Sequence, residues 1–74
     1  MNSRNDIQLL DVVALADNLP AENLSRGQVG TVVENFGEGV YEVEFSDDDG
    51  RTYALLTLKS DQLIVLHFQP VKAA

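Results

Sequence analysis

Apolar and polar side chains alternate most regularly in the middle of the chain, over the sequence VYEVEF (residues 40–45). Tyr41, Val43 and Phe45 lie on one face of an extended chain, and Glu42 and Glu44 lie on the other. Such alternation is typical of a half-buried β-strand. Four further segments are rich in β-branched, leucine and aromatic residues and are bounded by turn residues: VVAL (12–15), QVGTVVENF (28–36), RTYALLTL (51–58) and LIVLHF (63–68). The pattern therefore predicts five short strands.

The connections between these strands differ in length and chemistry. After the first strand, Pro20 can open a single helical turn and Gly27 can close it. Because so short a turn is not stable alone, its Leu24 must dock on an apolar surface. Gly37-Glu38-Gly39 predicts a tight hairpin, and SDDDG (46–50) predicts a second turn. KSDQL (59–63) predicts a brief helical turn before the last strand.

Gly27 and Gly30 are three residues apart, and such a spacing could either bind a phosphate or allow an unusual backbone geometry. A phosphate-binding loop follows a strand and opens a helix, whereas these glycines follow a turn and open a strand. We therefore interpret both as structural. Gly27 ends the helical turn in a left-handed conformation, and Gly30 permits a bulge, a bend or the close passage of another strand. Gly37, Gly39 and Gly50 complete the set of structural glycines, each in a turn.

Five short strands with one long and two tight early connections predict an all-β fold, a small five-stranded antiparallel SH3-like barrel. A partly open barrel of the oligonucleotide-binding type is the alternative. The predicted barrel covers residues 9–68, with a flexible N-terminal segment at 1–8 and a C-terminal tail at 69–74.

Charge narrows the classes of function. The chain has 74 residues, 12 acidic and 5 basic side chains and no cysteine, which gives a net charge of −7. An acidic chain is a poor ligand for phosphate backbones and anionic membranes. The start lacks the features of a signal peptide, and no apolar run approaches the roughly 20 residues that span a bilayer. We expect a cytoplasmic protein that binds neither nucleic acid nor membrane and uses no cofactor.

The candidate catalytic and metal-binding residues are few. His67 is the single histidine, and no nucleophile or carboxylate partner is evident beside it, so we do not expect an enzyme. Asp47, Asp48 and Asp49 could bind a divalent cation, but calcium loops spread their ligands over a longer stretch. Consecutive aspartates in a hairpin are more typical of a turn, and no metal site is predicted.

Two surfaces could bind a partner. Glu42 and Glu44, with Glu34 near them, could join the aspartate turn as one acidic surface for a basic protein, or could simply be solvated. The fourth strand is apolar on both faces, with Ala54, Leu56 and Leu58 opposite Tyr53 and Leu55. In the last strand, Leu63 and Val65 similarly oppose Ile64, Leu66 and Phe68. Either an N-terminal cover through Ile7, Leu9 and Leu10 or a second protein surface would explain this.

A resemblance to a known family rests on four motifs: LDVVAL, GQVGTVVE, YEVEF and TYALLTLKSDQL. Over roughly residues 9–66 the chain resembles the bacterial family catalogued as domain of unknown function 4926. The resemblance implies a small SH3-like barrel and no established activity. Members tend to be small, free-standing bacterial proteins, which implies binding of partners rather than a reaction. The shorter pattern GxxGTVV is shared with nucleic-acid-binding KOW-type barrels.

These observations predict a non-enzymatic protein-interaction module. Its binding residues would be acidic and apolar side chains of one surface: Glu42, Glu44, Asp47, Asp48, Asp49, Tyr53 and Leu55. A basic protein is the expected partner, and an immunity or antitoxin-like role is one concrete form. The alternatives are a structural subunit of a larger complex or a homodimer, and then a KOW-like nucleic-acid binder. That last role needs a basic stripe, whereas Arg26, Arg51, Lys59 and Lys72 are scattered among acidic residues.

Overall fold

The computed structural model describes residues 7–70, which form one antiparallel sheet of five strands with two short 3-10 turns. The elements in chain order are β1 (Val12–Leu15), the first 3-10 turn (Pro20–Glu22), β2 (Val29–Gly37), β3 (Val40–Ser46), β4 (Thr52–Lys59), the second 3-10 turn (Ser60–Gln62) and β5 (Leu63–Val65). The strands are hydrogen-bonded in the order β4-β3-β2-β1-β5. The predicted all-β class and small five-stranded barrel are confirmed.

The core is built from the inward-facing residues of all five strands. Tyr41, Val43 and Phe45 are at most 3% exposed, which confirms the alternation predicted for β3. They pack with apolar residues from the rest of the described chain: Ile7, Val13, Leu15, Leu24, Val32, Leu58 and Leu63. Among residues 7–70 no polar or charged side chain is buried. Burial of apolar surface is therefore the main force that stabilises this fold.

The connection between β1 and β2 differs in one detail from the prediction. The first 3-10 turn ends at Asn23, which adopts the left-handed conformation (φ 60°) and donates its backbone N–H to the Pro20 carbonyl. Gly27 does not close this turn. It lies in the next one, where the Gln28 N–H donates to the Ser25 carbonyl at 3.0 Å, and its φ of 92° is left-handed as expected.

Leu24, between the two turns, is 5% exposed and joins the core, so the prediction that it docks on an apolar surface is confirmed. Gly30 has the close neighbour that was expected. A Cβ there would lie 2.8 Å from the backbone oxygen of Glu44 and 2.8 Å from the Val43 side chain. A side chain at this point would therefore push β2 away from β3.

One predicted strand boundary is wrong. β5 ends at Val65 and not at residue 68, because its partner β1 pairs with it only from Val13 to Leu15. Ile7, from the predicted N-terminal segment, is 4% exposed and packs in the core. The rest of the predicted N-terminal segment and tail lies mostly outside the described residues.

Candidate functional site

The outer face of β3 carries two half-buried carboxylates whose positions are set by β4. Glu42 pairs with Thr57, and the Thr57 hydroxyl donates to Oε1 of Glu42 at 2.8 Å. The Thr52 hydroxyl donates to the carboxylate of Glu44 in the same way. Both carboxylates are therefore drawn toward β4, and each keeps a second oxygen that can accept a hydrogen bond from a cation.

A third carboxylate lies on the other side of β3. The register places Glu34 of β2 directly opposite Glu42. Like charges at opposed positions of an antiparallel pair destabilise it. We call Glu34, Glu42 and Glu44 the acidic row. The register thus confirms that Glu34 lies beside the predicted acidic residues.

The aspartates of the β3–β4 turn have unequal roles. Oδ1 of Asp47 accepts the backbone N–H of Asp49 at 2.9 Å and that of Arg51 at 3.0 Å. Asp47 therefore shapes the turn, as its residue type suggested. Asp48 and Asp49 are exposed at its tip. In the described part of the chain, no group of three or more His, Cys, Asp or Glu side chains is arranged to hold a metal ion.

The two apolar candidates on β4 also differ. Leu55 is 54% exposed and pairs with Glu44, so it lies beside the acidic row. Tyr53 is skipped by the register between β3 and β4 and forms a bulge. Its ring centroid lies 6.3 Å from that of Phe45, and its hydroxyl accepts a hydrogen bond from Nε2 of Gln28 at 3.1 Å. Tyr53 is thus anchored, whereas more than half of Leu55 is open to solvent.

β4 is the terminal strand of the sheet, and its ladder fixes which backbone groups face outward. Hydrogen-bonded and non-hydrogen-bonded pairs alternate along antiparallel strands. The Ser60 N–H donates to the Gly39 carbonyl at 2.9 Å and so continues the β3–β4 ladder. This alternation continues back along β4 from Ser60. Leu55 and Thr57 therefore direct their N–H and C=O groups away from β3.

A groove runs beside this edge. Its volume is about 360 Å³. One wall is formed by β4, the other by the connection after β1, with Gln62 at one end: Asn18, Leu19, Pro20, Ala21, Glu22, Leu56, Thr57, Leu58 and Gln62 line it. The apolar residues on both faces of β4 were the one sequence signal that pointed to this region.

The remaining polar candidates do not join this site. Arg26 lies in the connection before β2, Arg51 in the β3–β4 turn and Lys59 at the end of β4, and Lys72 falls outside the described residues. His67 is exposed and follows β5. No helix in residues 7–70 is both long enough and apolar enough to cross a membrane.

Comparison with known proteins identifies the family of this chain. The family model described as "Domain of unknown function (DUF4926)" matches residues 9–65, a stretch that includes all five strands. No curated protein and no solved structure matches the chain. The resemblance indicated by the sequence motifs is confirmed, and the chain belongs to the DUF4926 family.

Proposed function

We propose that this chain is a non-catalytic protein-interaction module that binds a basic partner protein through the acidic row and Leu55. The observation that carries the proposal is the register between β2, β3 and β4. It gathers three carboxylates on one outer face and places an exposed leucine beside them. An acidic surface speeds association with a cationic partner, and an apolar side chain can then dock.

The arrangement of the row supports a cationic ligand in particular. Glu34 and Glu42 oppose each other, so the free chain carries an unfavourable interaction that a bound Lys or Arg would relieve. Glu42 and Glu44 are half-buried, and charges in that position are screened by salt less than fully exposed ones. The partner's cations would therefore interact more strongly here than with the exposed Asp48 and Asp49.

Comparative capture from native lysate tests the proposal. The bait is used as wild type, as the double variant Glu42→Gln/Glu44→Gln, and as the control Asp17→Asn/Glu38→Gln, which loses the same charge on other elements. We expect a basic protein that binds the wild type and the control but is retained at least about tenfold less by the first variant. Its release by added salt should also become less steep in that variant.

Equal loss of the captured protein from both double variants would show that only net charge matters, and would remove the acidic row from the site. Unchanged binding in all three would overturn the proposal. An immunity or antitoxin-like role, in which this small acidic chain covers a basic toxin surface, is the specific form that charge and size support.

A homodimer or a structural subunit of a larger complex is the second candidate. It is favoured by apolar side chains at the other end of the sheet, where Ile64 is 52% and Phe68 is 79% exposed. Burying such side chains between subunits would add to a core that is small for an independent domain. Light scattering over a concentration series tests it, and a mass that stays at one chain throughout would exclude a homodimer.

A further inference from the structure

We infer that the partner supplies an extended segment that pairs antiparallel with the free edge of β4 and becomes a sixth strand of the sheet. The inference rests on the proposed function and specifies how the basic partner is held. Strand addition to an open edge is a recurrent mode of peptide recognition. The sites of pairing would be the outward N–H and C=O groups of Leu55 and Thr57.

The middle of the β4 edge lacks the features that usually protect such strands. Natural edge strands carry charged residues or proline, are very short, or are covered. From Thr52 to Leu58 the sequence TYALLTL contains neither a charged residue nor a proline. The bulge at Tyr53 and the bond from the Lys59 N–H to Oε1 of Gln62, at 2.8 Å, close the edge at its two ends. The middle of the strand stays open.

The groove beside the edge provides space for the added strand. None of the loop and cap hydrogen bonds within residues 7–70 reaches the outward groups of Leu55 or Thr57. The middle of the opposite wall, formed by Leu19, Pro20 and Ala21, is apolar, with Asn18 and Glu22 on either side of it. Alternate side chains of the added strand would therefore point toward an apolar surface, so we expect them to be apolar.

The intervening side chains of the added strand would lie on the same outer face as the acidic row. Residues paired directly with Leu55 and Thr57 share their outer face. Strands lie about 4.8 Å apart, so β3 is about 10 Å from the added strand. The threonine bonds draw Glu42 and Glu44 toward β4, and the long stem of a lysine or arginine can cross Leu55 to reach them. Basic residues are favoured at these positions.

The ligand is therefore an extended segment in which basic and apolar residues alternate. In antiparallel pairing, the basic residues are also those whose N–H groups bond to β4, because paired residues share a face. This coincidence allows a sharp test. N-methylation of the basic residues removes the hydrogen bonds to the edge, whereas N-methylation of the apolar residues changes N–H groups that point away.

The probes are four synthetic peptides as long as β4, 8 residues. The first alternates Lys and Val, the second places all Lys before all Val, and the other two carry N-methyl groups on the Lys or on the Val residues. Their affinities for the full chain are measured by fluorescence anisotropy, and hydrogen exchange of the β4 amides is followed in each complex.

We expect the alternating peptide and its Val-methylated form to bind with similar affinity. The Lys-methylated form should bind at least about tenfold more weakly, since two or more backbone hydrogen bonds are lost. The block peptide should be weakened similarly, since its Lys and Val side chains are not separated onto the two faces of a strand. Exchange at the amides of Leu55 and Thr57 should slow in the tight complexes only. The reverse order of the two methylated peptides would overturn the antiparallel register.

Equal affinity of all four peptides would overturn strand addition and leave ionic binding at the acidic row, and thus the proposed function, intact. No binding by any peptide at low salt would contradict both. On the protein side, Thr57→Pro removes the outward N–H, and Thr57→Val removes the hydroxyl but keeps the N–H. Only Thr57→Pro should weaken binding of the alternating peptide and its Val-methylated form, because one of their backbone carbonyls loses its donor, and the peptide series decides the matter even if that variant does not fold.

Discussion

Gly30 lies where a side chain on β2 would clash with β3, and its replacement tests how firmly the two strands are held. In Gly30→Ala the new Cβ would meet the Glu44 carbonyl oxygen at 2.8 Å, and a backbone atom cannot rotate away. We expect a loss of about 2–3 kcal/mol in the free energy of unfolding, as for other overpacked sites. Urea denaturation of the variant and the wild type measures it.

Gly27→Ala is the matched control for this change. At Gly27 nothing lies within 4 Å of a Cβ, and only the left-handed φ of 92° opposes a side chain. We expect a smaller loss, about 1 kcal/mol. A Gly30→Ala variant as stable as the wild type would contradict the close approach of the two strands.

Asp47 and Asp48 are neighbours of equal charge with different structural roles. Asp47→Ala removes the acceptor for the backbone N–H groups of Asp49 and Arg51, so we expect it to destabilise the fold by about 1 kcal/mol. Asp48→Ala should change the stability by less than about 0.5 kcal/mol. Thermal unfolding of the two variants compares them at identical net charge. Equal stabilities would show that the Asp47 hydrogen bonds contribute nothing.

At the scale of single elements, the pairing of β2 with β3 contains an unfavourable contact between Glu34 and Glu42. Glu34→Gln removes one charge of this pair and keeps the size of the side chain. We expect a gain of about 0.2–1 kcal/mol in stability and, if the proposed function holds, weaker binding of a basic partner. Glu38→Gln, in the following turn, is the control for net charge alone. A Glu34→Gln variant that is less stable than the control would contradict the repulsion.

The strands could be predicted from the sequence because each carries a local signal. Alternation identified β3, and glycine and aspartate turns delimited its neighbours. The end of β5 could not be predicted, because its length is set by the short partner β1 and not by its own apolar residues. For the end of the first 3-10 turn the sequence favours Gly27 over Asn23, since glycine is the stronger signal for a left-handed residue.

The candidate site was predictable only in part. Glu42, Glu44 and Leu55 follow from strict alternation, and the structure places them together on one face. The bulge at Tyr53 interrupts that alternation, and a two-residue period cannot reveal it. The groove and the outward groups of Leu55 and Thr57 depend on which strand ends the sheet, a property of the whole fold.

At the scale of the whole molecule, a core this small leaves little reserve of stability. The net stability that a single core supplies to a domain of this length rarely exceeds about 3–5 kcal/mol. Leu15 is 1% exposed, and Leu15→Ala should cost about 2–5 kcal/mol and leave much of the chain unfolded at 25 °C. Leu55→Ala, at an exposed position, should change stability by less than about 0.5 kcal/mol. Circular dichroism with denaturant compares the two, and a well-folded Leu15→Ala would contradict the assigned core.

The position of β1 between β2 and β5 has a consequence for the order of folding. β2, β3 and β4 follow one another along the chain and pair through short turns, so they close with little loss of chain entropy. Val13 pairs with Val65, almost the full described length away, and this closure needs the last strand to be present. On a ribosome the three-stranded meander can therefore form first, while β1 gains its second neighbour only after β5 has been made. We expect φ-values to be high at Val43 and low at Leu63, measured by mutation and stopped-flow kinetics.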